Sequence, residues 1–195
     1  MKGMNYQDYI WDLGGTLLDN YELSTQAFVQ TLAFFQTLAF FSLPGDHDAV
    51  YQKLKESTAI AVAMFAPNEP EFLHVYRLRE ADKLAQPIWC LGAKEILEKI
   101  ATSGSRNFLI SHRDCQVNQL LEQAGLLIYF TEVVTASNGF ARKPNPESLF
   151  YLKEKYDINS GLVIGDRLID KQAGQAAGFN TLLVDGRKNL LEIVT

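Results

Sequence analysis

The chain has 195 residues, 47% hydrophobic and 21% charged, enough for one sizeable core or a core with a small inserted lobe. A net charge of −5 and the lack of a basic run exclude a nucleic-acid surface. No apolar stretch reaches about 18 residues, and Met1–Tyr6 lacks a secretory apolar region, so a cytoplasmic protein without membrane contact is expected.

In chain order, Tyr6–Asp12 reads as a strand whose apolar residues Tyr9, Ile10 and Trp11 deliver Asp12 to the carboxyl end. Gly14 and Gly15 permit a tight turn there and a backbone close enough to meet a ligand. Asp12 is therefore a candidate nucleophile or metal ligand, although an Asp-x-Gly-Gly turn by itself also fits a plain loop. From Asp19 to Pro87 the pattern is almost entirely helical. Within it Gln30–Phe35 is repeated at once as Gln36–Phe41. Six residues turn a helix by about 600°, so the copies face about 240° apart and Phe34, Phe35, Phe40 and Phe41 point all round one helix. Two explanations stand: a local duplication at a helix end, or a hydrophobic contact making a homo-oligomer. Pro44, Gly45 and Asp46 end the segment.

After Pro87 strands and helices alternate: Phe108–Ser111 and Val117–Ala124, Glu132–Thr135 and Pro146–Tyr156, Leu162–Gly165 and Asp170–Ala177, then Thr181–Val184. Such alternation predicts an α/β fold, a doubly wound parallel sheet with helices on both faces. Residues 1–18 and 88–195 form this core, and 19–87 are an inserted helical lobe. Ligands of such sheets collect at the carboxyl ends of strands where the strand order reverses. If the first strand is central, Asp12, Ser111 and Asp166 surround one small volume. Cys90 and Cys115 have no metal-type spacing and read as structural filler.

Several of these segments carry chemistry. Asp12 ends the first strand, Ser111 ends Phe108–Ser111, Arg142-Lys143 is pinned by Pro144 and Pro146, and Leu162–Gly165 runs into Asp166 with Asp170 four residues on. In that order they resemble the four signature motifs of the haloacid dehalogenase-like hydrolases, over nearly the whole chain. The helical lobe resembles the cap of the subgroup that includes phosphoglycolate phosphatases and β-phosphoglucomutases. The resemblance implies a Rossmann-like core and a small phosphorylated metabolite as substrate. Asp12 would be the nucleophile, forming an aspartyl phosphate. Mg²⁺ would be held by Asp12, the Gly14 carbonyl and Asp166, with Asp170 behind the metal or orienting the lysine. Ser111 would bind the transferring phosphoryl oxygens, helped by backbone N–H groups near His112. Lys143 would offset the crowded negative charge. His112 and Arg113 either touch substrate or face solvent. His47, His74, Arg77 and Arg79 of the lobe read as surface or packing residues.

The pattern departs from the family at one position. Most of its phosphatases read Asp-x-Asp-Gly-Thr, where this chain reads Asp12-Leu-Gly14-Gly15-Thr16. The carbonyl survives this change and the general acid/base does not. With this departure the resemblance implies one of three outcomes: a phosphatase confined to good leaving groups, a catalytically idle binding or regulatory module, or an enzyme cleaving carbon–phosphorus or carbon–halogen bonds, as other branches of the family do. The carbon–phosphorus version would recruit a lobe lysine such as Lys53, Lys55 or Lys83.

Overall fold

Five short parallel strands make one sheet: β1 Asp8–Trp11, β2 Arg106–Ile110, β3 Phe130–Val134, β4 Gly161–Gly165 and β5 Asn180–Leu183. Their order is β3-β2-β1-β4-β5, so the first strand is central and the order reverses beside it. This computed structural model describes residues 6–35, 47–84 and 86–194. Among them the helices are α1 Asn20–Phe34, α2 His47–Glu56, α3 Thr58–Phe65, α4 Phe72–Leu84, α5 Ala93–Thr102, α6 Gln116–Gln123, α7 Glu147–Tyr156, α8 Leu168–Ala176 and α9 Leu190–Val194. None is long and apolar enough to cross a membrane. The chain divides into two compact units, Met1–Leu18 with Trp89–Thr195, and Asp19–Ile88.

In the first unit the central strands are buried on both faces, which explains their near-continuous apolar sequences. Tyr9, Trp11, Leu109 and Ile164 point to one face, where α5, α6 and α9 supply Ile96, Ile100, Leu121 and Leu190. Ile10, Phe108, Ile110 and Val163 point to the other, against Leu149 and Leu152 of α7 and Ala173 of α8. The doubly wound α/β architecture is therefore present, with helices on each side. The register sets Trp11 beside Leu109 and Ile164, so three strand ends finish at one level. A buried amide locks this alignment: Trp11 Nε1 donates to Asn107 Oδ1 at 2.9 Å, and Asn107 Nδ2 donates to the Leu97 and Tyr129 carbonyls.

The sequence reading passes over α5 and α9. In α5 the buried residues Ala93, Ile96, Leu97 and Ile100 are nonetheless at helical spacing. α8 also begins at Leu168, two residues before the expected Asp170.

In the second unit, α1 packs on α2 and α4 around Phe28, whose ring meets Phe72 at 4.8 Å and Tyr76 at 5.2 Å. α1 buries polar residues without loss, because Thr25 and Thr31 donate to carbonyls four residues back. Ser24 and Tyr76 both donate to Glu80 Oε1. The first copy of the repeat splits its phenylalanines. Phe35 packs on Phe72, while Phe34 is 61% exposed beneath the Arg79 guanidinium. The second copy, Gln36–Phe41, lies outside the described residues, as do Pro44, Gly45 and Asp46.

Candidate active site

Asp12 sits immediately beyond β1, its N–H donating to the Ile164 carbonyl at 2.8 Å. That bond extends the ladder by one residue and presents the carboxylate at the strand end. The chain then turns sharply: the N–H groups of Thr16, Leu17 and Leu18 all donate to the Leu13 carbonyl, and Gly15 N–H donates to Leu18. Gly15 has φ +84°, a conformation that favours glycine. Gly14 is not in that region, and none of these turn bonds uses its carbonyl.

Three carboxylates meet here. Asp12, Asp166 and Asp170 each offer an oxygen, and these atoms lie within 4.8 Å of one another. Lys143 joins them, with Nζ donating at 2.5 Å to Asp12 Oδ1 and at 2.5 Å to Asp170 Oδ1. The lysine side chain is only 5% exposed. Asp170 Oδ2 accepts from Arg167 N–H at 3.1 Å, so both oxygens of this buried acid are engaged. Its approach depends on Gly165: a Cβ there would stand 2.4 Å from Asp170 Cβ. The glycine at the end of β4 is thus required by space.

Burial pushes the Asp12 carboxyl above its ordinary range; Lys143 pulls against this and the Asp170 charge adds to it. Burial also works against the Lys143 ammonium, but the charges of Asp12 and Asp170 outweigh it and hold the lysine protonated. Three acids against one ammonium leave a surplus of negative charge on hard oxygen atoms. That donor set fits a hard divalent cation such as Mg²⁺.

Ser111, the residue after β2, is buried and its Oγ accepts from Arg113 N–H at 3.2 Å. His112 is turned toward the lysine segment, its Nε2 accepting from Lys143 N–H at 2.9 Å. That bond requires Nε2 to be unprotonated. Burial first, then the Lys143 and Arg142 charges, push His112 down to about 4. The unfolded chain therefore takes up this proton near pH 6.5, before the native state does. Stability from this source is complete above pH 6.5 and is lost as pH falls toward 4. The expected result is that wild type loses more melting temperature than H112Q between pH 7 and 4.5. Parallel thermal melts over that range check it, and equal losses would contradict the assignment.

The predicted residues of the first unit thus come together: Asp12, Asp166, Asp170 and Lys143 in one cluster, and Ser111 and His112 on the neighbouring strand end. Gly14 follows Asp12 in the turn. Lobe residues have local partners of their own. His47 meets Glu22 at 2.9 Å, Lys53 meets Glu56, Lys55 lies over Tyr51 and Lys83 reaches Gln26. Sequence reasoning missed the spacing role of Gly165, the His112 link to Lys143, and Arg142, whose Nη2 donates to the His112 carbonyl at 3.1 Å. Adjacent Arg142-Lys143 was the available signal for that last contact.

Residues 9–184 match the family described as haloacid dehalogenase-like hydrolase. A phosphoglycolate phosphatase of Aliivibrio fischeri is 36% identical over 91 residues, 45% of this chain and 40% of that protein. The chain thus spans about two fifths of the length of such relatives. The crystal structure of a hydrolase from Streptococcus pneumoniae TIGR4 is 55% identical, covers 97% of this chain and 96% of its own, and superposes with a TM-score of 0.85. A family hydrolase from Deinococcus radiodurans R1, solved with bound phosphate and sodium, shares the fold at 22% identity, covering 98% of this chain and 88% of its own with a TM-score of 0.73. With the match running from the first strand to the residue after the last, this chain belongs to the haloacid dehalogenase-like hydrolase family.

Proposed function

We propose that the protein is a phosphatase of a small phosphorylated metabolite, acting through Asp12 and assisted by Mg²⁺. The observation that carries this reading is the convergence of Asp12, Asp166, Asp170 and Lys143 at the carboxyl edge of the sheet. Relatives named phosphoglycolate phosphatase support it. Asp12, Asp166 and the Gly14 carbonyl would hold the cation, with Asp170 anchoring the lysine behind it. When bound, Mg²⁺ neutralises phosphoryl oxygens and keeps the Asp12 carboxyl ionised despite its burial.

An Asp12 oxygen attacks phosphorus, the phosphorus–oxygen ester bond breaks, and the alkoxide leaves with the electron pair. Lys143 and the Ser111 hydroxyl compensate the charge that gathers on the phosphoryl oxygens. Water then attacks the aspartyl phosphate, which returns the carboxylate and releases phosphate. Gly14 supplies no proton in the first step and no base in the second. Phenol and acyl leaving groups depart without protonation, so they react best, and the intermediate lingers. In this reading the helical unit Asp19–Ile88 is a cap that selects the substrate.

Phosphate release over a panel of phosphorylated metabolites and an aryl phosphate, with and without Mg²⁺, tests the proposal. The expected result is Mg²⁺-dependent release that falls at least about 10³-fold in Asp12→Asn. Equal activity of that variant would overturn it. Gly14 also motivates a second reading, an idle binding module, which the same panel supports if purified protein turns over nothing.

A further inference from the structure

Next to the acidic cluster lies a cavity that shares the Ser111 hydroxyl with the chemistry above and extends away from it. It has a volume of about 300 Å³ and is lined from β2, β3 and the loop before α7. That is the lower end of the range for small-molecule sites. Its walls include Ile110, Val134 and Phe140, together with the hydroxyl-bearing Ser148 and the guanidinium-bearing Arg142. Ser111 and His112 line it too, whereas Asp12, Lys143, Asp166 and Asp170 do not. It shares Ser111 with the reaction centre without containing the acids or the lysine.

We propose that this cavity is a second ligand site, taking a small carboxylate with a short apolar body, and that its occupancy is felt at Lys143. Three observations select that ligand class. The walls are largely apolar, which suits a hydrocarbon body better than a bare phosphate. Arg142 is exposed and enters no ion pair among the described residues. Its planar fork uses Nη2 on the His112 carbonyl, and its remaining N–H groups match a carboxylate. Glu147, at the start of α7, is turned to Ala141 N–H at 2.7 Å and leaves the guanidinium uncompensated. The local field agrees: Lys143, Arg142 and Arg167 all disfavour a proton on His112, and Asp170 opposes them. A negatively charged chain therefore has a positive rim at this point.

The coupling follows from two bonds. Arg142 donates to the His112 carbonyl, and the His112 ring accepts from Lys143 N–H, the next residue after Arg142. An anion drawing on Arg142 pulls on the same short loop that places the Lys143 ammonium. This inference goes beyond the phosphatase reading, and its test does not need turnover.

The test is a ¹⁵N NMR titration of the full chain with benzoate, and with benzamide as the uncharged isostere. The expected result is saturable shifts at Val134, Phe140 and Ala141 that extend to the His112 and Lys143 amides. Benzamide should bind at least about tenfold more weakly, as should benzoate to R142Q, since each lacks the charge-assisted pair. A136F, which adds bulk to the cavity lining and keeps the guanidinium, should weaken benzoate by a similar factor. No saturable shift would overturn the proposal. So would equal binding of benzamide, or shifts confined to the Asp12–Gly15 and Asp166 turns, which would place the carboxylate at the reaction centre. Shifts that stop short of Lys143 would overturn the coupling.

Discussion

Gly14→Asp raises turnover of alkyl phosphates by about 10²–10⁴-fold, the usual contribution of a positioned acid/base. The backbone of the turn is compatible with the change. Gly14 lies outside the left-handed region, unlike Gly15 at φ +84°, so an L side chain meets no backbone penalty there. Its carbonyl takes no part in the turn bonds of Leu13–Leu18, and a side chain leaves those bonds in place. The new carboxyl follows Asp12 by two residues, the spacing that the family resemblance implies for an acid/base. Aryl phosphates gain less, because a phenolate leaves unaided. Steady-state kinetics on matched alkyl and aryl phosphates measure both. A uniform gain on the two classes, or none in a folded variant that still binds Mg²⁺, would mean that Gly14 is not the deficit.

Lys143→Met lowers turnover by at least about 10³-fold and destabilises the fold at neutral pH by roughly 3–5 kcal/mol, the range for breaking a buried ion pair from one side. The cause is visible in the contacts: the ammonium is the cation between Asp12 and Asp170, at 2.5 Å from each, and Asp170 is almost fully buried. Without it Asp12 titrates higher still, since burial and the Asp170 charge act unopposed. Protonation relieves that penalty, so the gap from wild type narrows as pH falls from 8 toward 5. Mg²⁺ narrows it too, by replacing the missing charge. Urea unfolding at pH 8 and pH 5, with and without Mg²⁺, checks each sign. A gap independent of pH would place the lysine outside the electrostatics of the cluster.

The sheet was readable because buried parallel strands are continuous apolar runs. Tyr9–Trp11, Phe108–Ile110 and Leu162–Ile164 are followed at once by Asp12, Ser111 and Gly165, residues that suit a turn or a site. The meeting of Asp12 with Asp166 followed from putting β1 in the centre, which the strand order shows. α5 was passed over because its four buried residues are diluted by Lys94, Glu95, Glu98 and Lys99 between them. Other features had no local signature at all. Lys143 and Asp12 are 131 positions apart, and nothing near either one announces a direct bond. The need for Gly165 appears only once Asp170 is seen folded back against it. His112 reads as a lone polar residue until the Lys143 loop, 31 positions on, supplies its donor.

The most direct measurement is intact-protein mass spectrometry of the enzyme quenched during turnover of an aryl phosphate, followed by peptide mapping. Because Gly14 offers no base for dephosphorylation, one phosphoryl group per chain should accumulate on the Asp12 peptide, only with Mg²⁺, and not in Asp12→Asn. Product release with no phosphoryl on the chain, or with the group on another residue, would contradict the account.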